Sequence, residues 1–318
     1  MNILLLKSKS SGGIKTWNRA FLAYAKNKNY KVKFVNNVID LILSKPSDRK
    51  ILWGPYIFLS IFLENCVCVS HGIPSFKLQG FKALILYLNL YLANIFRKKI
   101  SVISNYTSSV LTETFGIKSV TIRNCIDPDD IKLNNILLSN RPIDLLFIGR
   151  CIESKLPRFL LETIESRKDL NCHFITSRIP NDKYSKNVVK KLNSIPNVTL
   201  SSFGKNFDST IYSKSKIFIN CSLSEPFAYV YLEALAGGCR VICPCSGGAL
   251  ELSYLINKNW VEVFNNNDPN ELSKLITKSL EAYNKCSDED RNKQKDVISN
   301  LFKKLFEDFS EGFDNLLI

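Results

Sequence analysis

The chain has 318 residues, 45% of them hydrophobic and 23% charged, with a net charge of +14 at neutral pH. That length suits two domains of about 100–200 residues each, and the composition excludes a disordered chain. No run approaches the ~20 apolar residues of a membrane span. The N-terminal apolar run, Ile3 to Leu6, is shorter than the ~7–15 residues of a signal-peptide core, so a cytoplasmic protein is expected, at most peripheral at the inner membrane face.

NILLLK (2–7) reads as a first strand. A helix follows over 17–28, then strands KVKFV (31–35), KILW (50–53) and NCVCVS (65–70), with a helix over 56–64 between the last two. Residues 82–98 form a long, largely apolar helix, KISVIS (99–104) a strand, 106–115 a helix and SVTIR (119–123) a strand. Strands alternating with helices at this spacing mean crossover connections and a parallel sheet. The stretch 124–142 breaks the pattern with Asp-Pro, several Asn and Arg-Pro, the chemistry of turns and linkers. Alternation restarts at DLLFIGR (144–150) and continues through strands CHFIT (172–176), NVTL (197–200), KIFIN (216–220) and RVIC (240–243). The expected fold is α/β, with two Rossmann-like doubly wound parallel-sheet domains over 1–135 and 136–290. They are expected to face a central cleft lined by the loops at the carboxyl ends of both sheets. The tail, 291–318, is helical, with Leu301, Leu305, Phe306 and Phe309 near one face. It can pack back on the N-terminal domain.

The basic excess has two readings: a solvated lysine-rich surface, or attraction to anionic partners. Nucleic acid is disfavoured, because the sequence carries no helix-turn-helix signature and no aromatic-basic motif. A Rossmann oxidoreductase would want G-x-G-x-x-G after a strand, and none is present. The ten cysteines include no C-x2-C pair, and the only histidines are His71 and His173. Buried reduced thiols are expected in preference to a zinc site. Cys66/Cys68 and Cys243/Cys245, each two apart, would face one side of a sheet.

The segment SLSEPFAYVYLEALAGGCRVICPCSGGALEL (222–252) carries the chemistry. KIFIN ends just before it, Glu225 falls in the turn, and Pro226 suits the first helical position. The N–H groups of Phe227, Ala228, Tyr229 and Val230 would then point out of a helix start, a ready site for a diphosphate. Glu233 lies eight residues beyond Glu225, about two turns, so the two acids would share a helix side and hold two ends of one elongated ligand. Taken alone, an E-x7-E spacing reads more readily as a helix-start acid followed by an exposed helix residue; here it sits within a longer match.

The longer string E-P-F-A-x-V-x-L-E-A-L-A-G-G-x-x-V-I, followed by Gly-Gly and a Glu, resembles the donor-site signature of glycosyltransferase family 4, a retaining family of the two-domain GT-B type. In the same order, SSGGI (10–14) resembles the family's glycine loop and VSHGIP (69–74) its His-bearing strand end. ISNYTSSVLTETFGI (103–117), NCID (124–127) and FIGRCIESK (147–155) match further segments, and the likeness runs from about residue 2 to 255.

The resemblance implies that Arg150 and Lys155 hold the donor pyrophosphate, a planar fork beside a point charge. It implies that Gly12 and Gly13 let backbone approach phosphates and acceptor, that Glu225 binds the hexose and Glu233 the ribose, and that His71 lies near the transferred sugar. Gly247 and Gly248 match a glycine turn, and Ser104 and Asn124 supporting positions. Ala228, Gly238-Cys239-Arg240, Cys125 and HFITSRI (173–179) depart from the pattern, the last leaving the base of the donor open.

The function expected is transfer of a hexose-type sugar from a UDP- or GDP-sugar to a glycan or lipid-linked acceptor. No cofactor is expected, and no metal, since no D-x-D pair stands in a suitable loop. The competing reading is a non-catalytic nucleotide-sugar-binding or scaffold protein. The 82–98 helix is either a buried core helix or an interfacial one, with Lys82, Arg97, Lys98 and Lys99 meeting an anionic membrane.

Overall fold

Short runs of aliphatic and β-branched residues form the inner strands, which are covered on both faces as parallel sheets require, while the edge strands are partly exposed. The computed structural model describes residues 1–6, 13–76, 80–131, 133, 139–176, 182–203, 208–222, 224–227, 229–256, 260–265 and 267–317. The chain divides into two units, Met1–Asp130 with Phe302–Ile318, and Ile131–Leu301.

The first unit runs β1 (Asn2–Leu6), α1 (Gly13–Asn27), β2 (Lys31–Val35), α2 (Val38–Ile42), β3 (Arg49–Trp53), a 3-10 segment (Gly54–Ile61), β4 (Cys66–Ser70), α3 (Phe81–Ile95), β5 (Lys99–Val102), α4 (Asn105–Phe115) and β6 (Val120–Thr121). Its strands form one parallel sheet in the order β2-β1-β3-β4-β5-β6. The helix expected over 56–64 is the 3-10 segment, entered at a positive-φ Gly54 with Pro55 behind it. Ser104 caps α4, its Oγ accepting from the Thr107 N–H, and Gly116 ends that helix in the left-handed region at φ 65°.

One side of α3 packs into the core: Ala83, Leu90 and Ala93 are buried, with Leu90 and Ala93 against Cys68, Ile100 and Leu111. The opposite side is exposed, so the core reading holds for half of the helix only.

The second unit runs β7 (Ile143–Gly149), α5 (Arg158–Ser166), β8 (Cys172–Thr176), α6 (Lys183–Ser194), β9 (Val198–Ser202), a 3-10 segment (Ser209–Lys214), β10 (Ser215–Ile219), α7 (Tyr229–Ala236), β11 (Arg240–Pro244), α8 (Gly247–Leu255), β12 (Val261–Phe264) and α9 (Pro269–Asn284). This sheet is also parallel, in the order β12-β11-β10-β7-β8-β9. Phe147, Phe174, Ile217 and Ile242 of its strands pack against Leu160 and Ile164 of α5 and Leu272 and Ile276 of α9.

The last helix, α10 (Asp288–Leu317), is continuous. In the first unit its Phe309 and Phe313 enter an aromatic cluster with Trp17, Phe21 and Tyr24 of α1, ring centroids 4.9 to 6.5 Å apart. The Tyr24 hydroxyl donates to Asp314 at 2.9 Å, and Lys28 pairs with the same carboxylate at 2.6 Å. Phe306, expected on the apolar face, is only partly covered, and Phe302 takes its place in the core.

All ten cysteines are free. Burial pushes the Cys66 and Cys68 thiols up to about 11, which keeps them protonated and inert. Cys245 does not share the burial of Cys243, because β11 ends at Pro244 and Cys245 is exposed beyond it. Among the described residues no group of His, Cys, Asp and Glu is placed to hold a metal ion, and no helix is long and apolar enough to cross a membrane.

Candidate functional site

In the second sheet β7 and β10 are neighbours, with β8 and β9 extending one way and β11 and β12 the other. Ligands of doubly wound sheets bind outside the carboxyl ends of the strands at such a reversal. Two loops leave the sheet there. The loop after β7 carries Arg150 and Lys155, and the loop after β10 carries Ser222 and Glu225.

The first loop is folded tightly. The N–H groups of Ile152, Lys155 and Leu156 donate to carbonyls within it at 2.8 to 2.9 Å, and Cys151 and Leu156 are fully buried as anchors. Lys155 is thereby aimed at the second loop. Its ammonium forms an ion pair with Glu225 Oε2 and donates to Ser222 Oγ at 3.0 Å. The side chains of the pair are 21% and 18% exposed, so water still reaches them. Ser222 is set by its own N–H, which donates to Asn220 Oδ1 at 2.8 Å.

Glu225 is held from the other side by the start of α8. The Gly248 N–H donates to the Glu225 carbonyl at 2.8 Å. A Cβ on Gly248 would fall 2.2 Å from the Pro226 carbonyl oxygen and 2.9 Å from Phe227 Cα, so only glycine admits this approach. Gly247, at φ 64°, turns the chain into that position.

This packing corrects the expected helix start. Pro226 does not occupy the first helical position; α7 begins at Tyr229, and Pro226 and buried Phe227 form the loop that lies on Gly248. The first turn of α7 therefore begins with Tyr229 and Val230, not with Phe227. Phe227 contributes packing, and Ala228 lies outside the described residues.

For the same reason Glu225 and Glu233 do not share a helix side, since Glu225 precedes the helix. Glu233 sits one turn into α7, where its Oε2 accepts from the Tyr212 hydroxyl at 2.8 Å. Burial raises its carboxyl above the ordinary range, and the Tyr212 bond opposes that rise. Tyr212 reaches this position because Gly237 has no Cβ, which would meet Tyr212 Cβ at 2.4 Å. The sequence gives no sign of Tyr212, which lies in a 3-10 segment outside the motif.

Arg150 follows Gly149 at the end of β7 and is exposed, with no ion pair among the described residues. It shares the loop of Lys155 but does not join the Lys155–Glu225 contact. Elsewhere in this unit a cavity of about 850 Å³ at the β12 edge is lined by Arg240, Trp260, Glu262 and Gln294 and contains none of the expected site residues.

In the first unit, Gly13 opens α1 and is exposed, while Gly12 lies outside the described residues. His71 follows β4. Its ring meets Trp17 edge-on at 5.2 Å, and Nε2 is buried with no hydrogen-bond partner among the described residues. Burial pushes His71 down to about 4, so the ring is neutral at physiological pH.

Two parallel doubly wound sheets, one bearing a Lys–Glu pair at its switch point, define a GT-B glycosyltransferase fold. The profile of the Glycosyl transferases group 1 family matches residues 129–296, more than half of the chain, and the chain belongs to that family. Solved structures agree on the fold. HepE of Anabaena in complex with UDP-glucose is 15% identical over 99% of both chains, at a TM-score of 0.69. Sucrose-phosphate synthase from Thermosynechococcus elongatus is 13% identical over 99% of this chain and 98% of that one, at 0.72. A glycosyltransferase from Rickettsia africae is 16% identical over 99% of both, at 0.61. No curated protein matches the chain in sequence.

Gly248→Ala forces Pro226 and Phe227 away from α8. It is expected to cost about 1–3 kcal/mol of stability and to weaken nucleotide-sugar binding measured by calorimetry, while an unchanged melting temperature with unchanged binding contradicts the close approach. His71 is neutral in the folded chain down to about pH 4 and protonates near its ordinary 6.5 when unfolded. The unfolded state therefore binds the extra proton between those values, and stability falls as pH drops from about 6.5 toward 4. His71→Gln removes that contribution and narrows the loss by about 1–3 kcal/mol, read from denaturant midpoints of both proteins at each pH; parallel pH profiles contradict it.

Proposed function

We propose that the chain is a retaining, metal-independent glycosyltransferase. It transfers a hexose-type sugar from a UDP- or GDP-sugar to a glycan or lipid-linked acceptor, in surface polysaccharide or glycoconjugate synthesis. The observation that carries this reading is the Lys155–Glu225 pair at the carboxyl edge of β7 and β10, just before the start of α7. The complex of HepE with UDP-glucose supports a nucleoside diphosphate donor.

A lysine ammonium has three donors. Lys155 can serve Glu225 and a phosphate oxygen together, with Arg150 and the start of α7 at the remaining phosphate oxygens. As the glycosidic bond breaks, negative charge grows on the leaving diphosphate, and these fixed donors stabilise it more than they stabilise the ground state. The leaving phosphate takes the proton of the acceptor hydroxyl on the same face of the sugar, and the configuration is retained. Glu225 accepts hydrogen bonds from sugar hydroxyls. Glu233 keeps one oxygen on Tyr212 and presents the other to the ribose. In the first unit the neutral His71 offers Nε2 to a hydroxyl.

The test is transfer or hydrolysis with pooled nucleotide sugars, followed by proton NMR of the product anomer. Lys155→Ala is expected to lower kcat by about 100-fold or more. Glu225→Gln is expected to cripple transfer while leaving the nucleotide bound, and activity should survive EDTA. Full activity in both variants overturns the site, an inverted anomer overturns retention, and loss with EDTA restored by manganese overturns metal independence.

A further inference from the structure

The exposed face of α3 is apolar along its whole length. Phe81, Leu84, Ile85, Leu88, Tyr91 and Ile95 recur at i, i+3, i+4, i+7, i+10 and i+14, one stripe of a helix, and each is between 37% and 75% exposed. The 3-10 segment Gly54–Ile61 packs beside α3, tied to it by the Asn89 amide donating to the Pro55 carbonyl at 3.2 Å. On and just after that segment two more rings are exposed, Phe58 at 40% and Phe62 at 76%. Scattered surface hydrophobics need no explanation, but a continuous stripe of this kind marks a contact surface.

Charge selects the partner. Lys82 and Arg97 are exposed at the two ends of the helix, and no ion pair engages them among the described residues. Between Glu64 and Glu113 the sequence contains no acidic residue, and Lys77, Lys82, Arg97, Lys98 and Lys99 all fall in that interval. Lys98 and Lys99 donate to the Leu63 and Leu316 carbonyls at 3.4 and 2.9 Å, so the cations of the patch are Lys82 and Arg97. A twofold contact between two copies through this face would set the same patch against itself, bringing these two cations of each copy together with no acid from the stretch to offset them. An apolar stripe flanked by cations and bearing Phe and Tyr matches the boundary of a bilayer with anionic headgroups. The helix, 15 residues long and about 22 Å at ~1.5 Å per residue, is too short to span the ~30 Å core and suits lying in the interface plane.

We propose that the exposed face of α3 is a membrane-docking surface that seats the first unit on an anionic lipid bilayer. Apolar side chains enter the acyl boundary and Lys82 and Arg97 meet lipid phosphates. Docking brings the protein to the plane in which a lipid-linked acceptor lies. Vesicle binding needs neither donor nor acceptor, so its failure and a failure of the glycosyltransferase reading are separable.

The test is co-sedimentation of the full chain with phosphatidylcholine vesicles containing phosphatidylglycerol, against phosphatidylcholine alone, at low and high salt. Gel filtration is run at the same concentrations. The expected result is binding to the phosphatidylglycerol vesicles that weakens with salt. K82E/R97E, on exposed side chains, should reduce it by about tenfold or more, and Leu88→Glu should do the same with an unchanged circular dichroism melt. Equal partitioning to both vesicle types, or none to either, overturns the proposal. So does a wild-type dimer that Leu88→Glu converts to monomer, which would assign the face to a second copy.

Discussion

The proposed chemistry depends on one contact, the ammonium of Lys155 against the carboxylate of Glu225. A half-buried ion pair adds little to folding, because desolvation offsets most of the Coulomb gain. Its value is positional. Ser222 and the pair together fix a long, rotamer-rich lysine in one direction, so a phosphate reaching it need not order the side chain. The carboxylate is pinned by its backbone, through the Gly248 N–H, to the start of α8. Two loops from neighbouring strands and one helix start thus converge on one small charged centre.

The arrangement follows from the sheet. Only where the strand order reverses do adjacent loops lead to opposite sides and leave room between them. The residues that hold those loops are apolar or lack a side chain altogether: Cys151, Leu156 and Phe227 as buried anchors, and Gly248 and Gly237 where backbone or Tyr212 approaches too closely for a Cβ. Tyr212 in turn orients Glu233 from inside the unit. The polar atoms of this centre are few, and the neighbours on these loops hold them in place.

Most of this was legible in the sequence, because parallel strands are written as short continuous apolar runs and both units repeat that pattern. CHFIT matches its strand residue for residue, and most of the other expected strands differ at their ends by one or two residues. Val261–Phe264 is not legible in the sequence, because four residues, Val-Glu-Val-Phe, are too short a run to establish a period. The Pro226 position misled for a physical reason: proline at a helix start is a sound local rule, but the packing of Pro226 and Phe227 on Gly248 is a contact between distant segments that delays the helix to Tyr229. From that error came the placement of Glu225 and Glu233 on a common helix face. Tyr212 was invisible because its role depends on a missing Cβ at Gly237, 25 positions further along the chain.

Sharing of one ammonium between a carboxylate and a phosphate can be measured directly by titrating UDP and GDP into the wild type, Glu225→Gln and Lys155→Gln by calorimetry. If Lys155 is the shared donor, Glu225→Gln binds the nucleotide at least as tightly as the wild type, since a competing acceptor is weakened, and Lys155→Gln binds about tenfold or more weakly. Wild-type affinity in Lys155→Gln, or an equal loss in both variants, would contradict it.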